Sequence, residues 1–448
     1  MFRKIVCMMI LCMTVTCMGG CQTKTEIPNQ KESEVAETKT EEFVDYAGEI
    51  TLNMSSDSAK EEVTVKTFID GDTTHFYIQQ DVMETGVLKA RYLSINTPES
   101  TGKIEEYGKA ASNFTREKLS AATSIIVESD DSNWNVDSTG DRHLVWVWYK
   151  TAENEEYRNL NIEILQNGLA IANSSAQGRY GSTCMKAINQ AKAHKLNVYS
   201  GQKDPDFYYG EAVELTLKEL RTNTEAYNGI KVAFNGIITT NSDNSVYVES
   251  YDAETDMYYG FSVYYGFGLS GEGLDILSVG NEARIVGTVQ YYEVGGTYQV
   301  AGLSYRMMKP DDPGNIQKLS DGHKPAYVLT DADTFANGKV EAEVAGEKKE
   351  FAYAELALGS SIEMQNLAVK DIYTTTNEES SSKGAMTMTC EVDGIQVDVR
   401  TVVLTDADGK LITEDTYKGK TIDVKGIVDY FDGTYQIKVF SADDIIIK

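Results

Sequence analysis

The chain has 448 residues, with 41 Lys and Arg against 69 Asp and Glu, a formal net charge of −28, and only 6 Pro and 6 Cys. That length points to several domains, and a hydrophobic fraction of 41% with 10% aromatics excludes wholesale disorder. The net charge argues against a protein that coats nucleic acid or an anionic bilayer by bulk electrostatics, but leaves room for a small positive cleft.

The acidity is unevenly spread. Residues 61–203 hold 15 basic and 19 acidic groups, whereas residues 204–448 hold 20 and 41. At the start, Arg3 and Lys4 precede an apolar run over residues 5–18, too short to span a bilayer and laid out like a secretory signal. Residues 1–20 are therefore read as a signal peptide. Its end, Met18-Gly19-Gly20-Cys21, resembles the lipobox of bacterial lipoproteins. This implies lipid on Cys21 and anchoring at the extracytoplasmic face of the cell membrane, with a plain signal peptide as the alternative. Residues 21–60 are polar and acidic, the composition of a disordered tether. Beyond Cys21, the mature chain keeps only Cys184 and Cys390, which make neither a disulfide framework nor a zinc spacing and are expected in cores.

Proline punctuation then divides the chain into folded blocks at 61–205, 210–308 and 326–448, with 309–325 as a linker. In the first block, Val63 to Ile69 alternates as a strand. The turn Asp70-Gly71-Asp72-Thr73 leads into a second strand from His75. Next, Ala90 to Ile95 reads as a strand with Arg91, Leu93 and Ile95 on one face, followed by Asn96-Thr97-Pro98-Glu99. Tyr107 opens a helix running to about Ala122, and Arg142 stands at the start of a strand containing Trp146 and Trp148.

The second and third blocks resemble each other. Residues 280–289 parallel 419–428, and Gly296-Thr297-Tyr298-Gln299-Val300 parallels Gly433-Thr434-Tyr435-Gln436-Ile437. The register slips by two between the paired segments, which places the difference in a hairpin turn. Short helices at Leu217 to Leu220 and Ala354 to Ala357 lead into the strands. Short twisted strands with internal glycines suit small OB-like barrels, with a β-sandwich as the alternative. The repeated Leu-Thr-Asp-Ala-Asp at 329–333 and 404–408 is read as turn chemistry, because no acidic ligand stands where a calcium loop needs its first. Lys186, Lys192 and Lys195 are read as a solvated helix face.

Over residues 63 to about 200 the first block resembles the staphylococcal nuclease (thermonuclease) family. The parts occur in family order: Ile69-Asp70-Gly71-Asp72-Thr73, Arg91 with Asn96-Thr97-Pro98-Glu99, Tyr107-Gly108-Lys109-Ala110-Ala111, Arg142-His143-Leu144, Asn167-Gly168-Leu169-Ala170, then Ala191-Lys192-Ala193 with Leu196-Asn197-Val198-Tyr199-Ser200. The resemblance implies an OB-fold nuclease barrel with three helices, so the whole chain is expected to be mainly β with helices, the other blocks forming two further OB-like modules. It also implies that Asp72 and the Thr97 carbonyl bind Ca²⁺, that Arg91 and Arg142 grip the scissile phosphate, and that Glu99 activates water. The physics suits this cast: guanidinium forks meet phosphoryl oxygens bidentately, and a hard cation takes oxygen ligands.

There are departures. Asn96 stands where the family commonly has a second metal carboxylate; its amide oxygen can ligate but carries no charge, so affinity should fall. One extra residue precedes Arg142, and the family's nucleotide-stacking tyrosines have no clear counterpart, although Tyr180 lies nearby. The expected activity is a Ca²⁺-dependent hydrolase cutting phosphodiester bonds of DNA, with RNA a second expected substrate, to give 3′-phosphates. The rival expectation is a catalytically weak or inactive surface lipoprotein that binds nucleic acid or protein. Oligomeric state and the ligands of the last two modules stay open.

Overall fold

The computed structural model describes residues 42–172, 178–242, 244–293, 295–377, 380 and 382–448. The signal peptide, Cys21 and the first part of the tether lie outside the described residues.

Alternation of buried and half-buried side chains builds the first barrel. In β3 (Val87–Tyr92) Leu88, Ala90 and Tyr92 point inward while Val87, Lys89 and Arg91 do not. β1 (Lys60–Phe68) pairs antiparallel with β2 (Thr73–Tyr77), and β2 with β3. β3 runs parallel to β5 (His143–Lys150), which returns antiparallel to β4 (Ser124–Glu128), and β4 closes on β1. This is a closed five-stranded OB barrel. Among the described residues, three helices of seven residues or more pack around it: α1 (Gly108–Ser120), α2 (Leu160–Gln166) and α3 (Gly181–Ala193), with a single helical turn at Tyr46–Glu49 beside them. The α2 amino end is capped by Asn159, whose Oδ1 accepts from Ile162 N at 3.0 Å. Trp146, Trp148, Phe76, Ile162 and Cys184 share the core, where Cys184 was expected.

The folded region begins earlier than composition suggests. Within the expected tether, Ala47 and Leu52 are buried, and Val44 N and Ala47 N donate to the side-chain oxygens of Gln190 and Gln166 at 2.8 and 3.0 Å. Asp45 accepts from both guanidinium ends of Arg158, at 2.7 and 2.8 Å. Two apolar anchors in a polar stretch make no periodic signal, and the glutamine partners lie 146 and 119 residues away.

The second barrel repeats the topology with β6 (Lys231–Ser242), β7 (Ser245–Asp252), β8 (Met257–Tyr264), β9 (Glu282–Tyr292) and β10 (Thr297–Ala301). The β8–β10 contact is the parallel one. The third does so with β11 (Ser361–Thr374), β12 (Met386–Val392), β13 (Ile395–Thr401), β14 (Thr421–Phe431) and β15 (Thr434–Val439), with β13 and β15 parallel. Both are closed five-stranded barrels, not sandwiches. The two-residue slip is real: the interval between β9 and β10 is longer by two than that between β14 and β15. Gly287 and Gly426 occupy matching places in their barrels. A Cβ there would lie 2.7 Å from Ala301 O and 2.5 Å from Lys438 O, so both copies need glycine where the fourth strand presses on the fifth.

The expected linker 309–325 is partly structural. Ile316 is buried, and Gln317–Ser320 adds an edge strand antiparallel to β9. The second and third barrels share one continuous apolar core, separate from that of the first. Polar groups also cross their junction. Buried Glu249 accepts from Ala326 N at 2.8 Å, Ser361 N at 2.7 Å and Ser361 Oγ at 3.0 Å. Arg221, in the short helix Leu217–Thr222, donates to Gly260 O at 2.6 Å and Leu358 O at 2.8 Å, with its guanidinium 4.5 Å from the Phe261 ring. Burial lowers its pKa to about 10, so it stays charged at neutral pH.

Glu249→Ala should lower the stability of the paired barrels by about 2–5 kcal/mol, measured by urea unfolding, because two backbone N–H groups lose their buried acceptor. A second expectation follows from Asp45. Hydrogen bonds from Arg158, opposed by burial and helped by Gln166, lower its pKa to about 2. A depressed carboxylate pKa stabilises the folded form above the ordinary value of 3.8 and loses that effect as pH falls through about 2. Amide exchange in residues 44–50 should therefore accelerate selectively between those values, and Asp45→Asn should accelerate it at neutral pH.

Candidate active site

The Asp-Gly-Asp turn is closed by its own backbone. Ile69 N and Asp70 N both donate to Thr73 O, at 3.1 and 3.2 Å, and Asp72 N donates to Asp70 Oδ1 at 3.1 Å. Gly71 is required for space: a Cβ would sit 2.8 Å from both Ala111 Cβ and Thr97 Cγ2. Thr115 Oγ1 of α1 completes the wedge by donating to Gly71 O at 2.6 Å.

This turn delivers Asp72, only 3% exposed, to the point where three segments meet. Its Oδ2 accepts from Thr97 N at 2.8 Å and its Oδ1 from Thr73 Oγ1 at 3.1 Å. Arg91 Nη1 forms an ion pair with the same carboxylate, while Nη2 donates to Asn96 Oδ1 at 2.6 Å. The expected shared face of Arg91, Leu93 and Ile95 does not exist. β3 stops at Tyr92, and Ser94, at φ 64°, turns the chain through the left-handed region. Ile95 is thereby buried, and Ile95–Asn96 pairs with Ile171–Ala172. Asn96 gains its approach to Arg91 from this break.

Glu99 follows at the exposed edge of the same segment. Its backbone is held at both ends: Glu99 N donates to Glu105 Oε2 at 3.2 Å, and Glu105 N donates to Glu99 O at 2.9 Å. A Cβ on Gly108 would fall 2.1 Å from Glu99 O, so the start of α1 is pressed onto this residue. Desolvation within the cleft raises the Glu99 pKa, Asp70 repels it further, and Arg91, then Arg142, pull the other way.

Arg142 precedes β5. The parallel register Ala90↔His143 puts it at the same barrel end as Arg91, and the field of Arg142 is felt at Arg91. Arg142 Nε and Nη2 contact Asp137 Oδ2 at 2.8 and 2.6 Å. The segment before Arg142 turns through Gly140, at φ 78°. Although burial opposes it, hydrogen bonds from Thr139 and Arg142 hold the Asp137 carboxyl below its ordinary range.

Asp72, Arg91, Asn96 and Thr97 are thus in direct contact, with Glu99 and Arg142 charged neighbours in the same cleft. Asp70 belongs to the group too. Burial raises its pKa, while Arg91 and then Arg142 oppose that shift across the cleft. The turn motif contains it, but two acids in a hairpin turn carry no signal of which one faces the cleft.

The donor set fits a hard cation. The Asp72 carboxylate and the Asn96 amide oxygen already converge on one positive group, the Arg91 guanidinium, with Thr97 hydrogen-bonded to Asp72. Among the described residues no cluster of three or more carboxylate, imidazole or thiol side chains gathers for a metal. A cation here would therefore depend on amide and backbone oxygens as well as on Asp72.

The remaining candidates resolve into packing. Tyr180 stands edge-on to Trp146 and Trp148, at ring distances of 5.0 and 5.4 Å, and donates its hydroxyl to buried Glu128 at 2.9 Å. These contacts give it a packing role at the core edge. Lys186, Lys192 and Lys195 are exposed on and beyond α3. Asp331 caps a short helix by accepting from Thr334 N at 2.8 Å, and Asp406 accepts from Asp408 N and Lys410 N within its turn. Cys390 is buried and free.

Fold and cleft together define an OB-barrel protein with paired arginines set against acidic and amide oxygens. The family model of staphylococcal nuclease homologues matches residues 89–201. A thermonuclease from Staphylococcus intermedius is 31% identical over 149 residues, covering 32% of this chain and 80% of that protein. The chain belongs to the staphylococcal nuclease family.

Gly71→Ala should destabilise the first barrel by about 1–3 kcal/mol in thermal unfolding, because the turn must withdraw from Thr97 and α1. The neighbouring Gly140→Ala, where a Cβ meets nothing within 4 Å, tests backbone conformation alone and should cost less.

Proposed function

We propose that the chain is an extracytoplasmic, Ca²⁺-dependent nuclease that hydrolyses phosphodiester bonds of DNA and RNA to 3′-phosphate products. Membership of the family supports a nuclease hydrolase in general. The observation that carries the finer reading is the cleft itself: Asp72, Asn96 and Thr97 side by side with Arg91, and Arg142 and Glu99 in the same field.

Asp72, the Asn96 amide oxygen and the Thr97 carbonyl would hold Ca²⁺, which when bound supplies a Lewis acid for a phosphoryl oxygen. Arg142 keeps one guanidinium edge on Asp137 and turns the other to the phosphate, where its charge meets the charge developing on the non-bridging oxygens. Arg91 acts from the other side. Glu99 holds or accepts the proton of the attacking water as the water oxygen bonds to phosphorus; the bond from phosphorus to the 5′ oxygen breaks, that oxygen takes up a proton from solvent, and the phosphate stays on the 3′ oxygen. Lipid on Cys21, with the following polar residues, would hold the nuclease outside the cell membrane, where it meets environmental nucleic acid. A Cys21→Ser protein should appear in the medium instead of the membrane fraction.

Plasmid degradation by the mature chain, with Ca²⁺ and then with EGTA, tests the activity. Cleavage abolished by EGTA is expected. No cleavage at any Ca²⁺ concentration would favour the inactive surface-binding protein. Arg142→Ala should lower the rate by about 10²–10³-fold while the protein stays folded. Arg91→Ala should do the same and also lower stability, since it strips the partner from buried Asp72. Asn96→Asp should tighten Ca²⁺ binding, read by calorimetry, by adding a second anionic ligand.

A further inference from the structure

The second barrel reaches into the loop that carries Glu99. Residues 97–107 leave the site at Thr97, pass Glu99 and return to α1. The base of this loop is tied by the Glu99–Glu105 backbone and side-chain bonds already described. Its crown is Gly102, and there the partner comes from β9. Gly102 N donates to Gln290 Oε1 at 3.0 Å, and Gln290 Nε2 donates to Gly102 O at 2.6 Å. One side chain thus satisfies both polar groups of a single backbone residue, the amide oxygen accepting while the amide nitrogen donates.

The contact is built for closeness. Gly102 and Gly302 lie at φ 66° and 72°, and a Cβ on Gly302 would stand 3.1 Å from Gly102 O and 3.6 Å from Lys103 Cα. Gln290 is only 6% exposed, so its amide is held in place by its surroundings. Beside the loop, Arg116 of α1 forms an ion pair with Glu293 and lies 4.6 Å from the Phe68 ring, a second tie between the two barrels.

Resting on the reading of Glu99 as the group that handles the attacking water, we propose that the second barrel is a positioning element of the active site. Gln290 pins Gly102, and through the closed base of the loop this fixes the Glu99 carboxylate relative to Asp72 and Arg91. Gln290 touches no reacting atom; it acts through Glu99. Glu99 is exposed as a residue, so the backbone of its loop has a large part in where its carboxylate lies.

The test uses the mature full chain and two variants. Gln290→Ala removes both bonds. Gln290→Glu keeps the size and one acceptor but faces Gly102 O with a carboxylate, and it serves if the alanine variant fails to fold. In either variant, hydrogen exchange of residues 100–106 and trypsin cleavage after exposed Lys103 should accelerate. Turnover should fall by about 10–100-fold with KM changed by less than about two-fold. In a Glu99→Gln background the same substitution should produce no further loss, because the effect travels through Glu99. A loosened loop with unchanged turnover would overturn the proposal, as would unchanged exchange, or a loss that adds in full to that of Glu99→Gln. Wild-type activity in Glu99→Gln itself would instead sink the reading of Glu99, and the exchange data, which need no activity, tell that failure apart from a failure of the pin.

Discussion

The cleft depends on one buried carboxylate. Asp72 is almost wholly removed from water, and an unpaired charge there would be costly. Its compensation comes from three directions: a guanidinium from β3, a backbone N–H from Thr97, and a hydroxyl from its own turn. Each partner is delivered by a different segment, so satisfying Asp72 also sets where those segments lie. Asn96 is then placed by the other arm of the same guanidinium. The resulting arrangement is a compact alternation of positive and negative groups.

Most of this was legible because short motifs stand along the first block in the order of a known family. The turn and the alternating strands are local signals, but each is weak alone, and the roles of Asp72, Arg91 and Arg142 came from the resemblance. The duplicated hairpins, with their slip of two, were legible from the repeated residues themselves. What escaped is non-local or conformational. The docking of residues 44–52 rests on two glutamine amides more than a hundred residues away. The left-handed Ser94 ends a run whose side chains still alternate on paper, so the face assigned to Ile95 was wrong. The edge strand at Gln317–Ser320 hides in a proline-rich segment because pairing with β9, not propensity, makes it a strand. Asp70 was missed because its role depends on which acid of the turn faces the two arginines.

The formal charge is also clearer when mapped onto the barrels. The two appended modules carry most of the excess acid, yet they bury a common apolar core and a polar junction at Glu249 and Arg221. Apart from buried Glu249, the acidic residues described in these modules are at least partly exposed, where screening confines their field to about a Debye length of 10 Å at moderate salt. At the end of the first barrel, Arg91 and Arg142 are each paired with a carboxylate, so positive charge is concentrated locally despite a chain-wide deficit.

The matching glycines at 287 and 426 align the two appended barrels residue for residue, and that alignment sets Gln290 opposite Asp429. In the third barrel Asp429 accepts from Gln436 Nε2 at 2.9 Å, within its own sheet. An aspartate side chain lacks the amide N–H donors of glutamine, and the third barrel's hairpin is two residues shorter. The copies have therefore diverged into parts that are no longer interchangeable. A chain with its two modules transposed would keep its composition, its charge and both barrel folds, and would set the wrong face beside the first barrel.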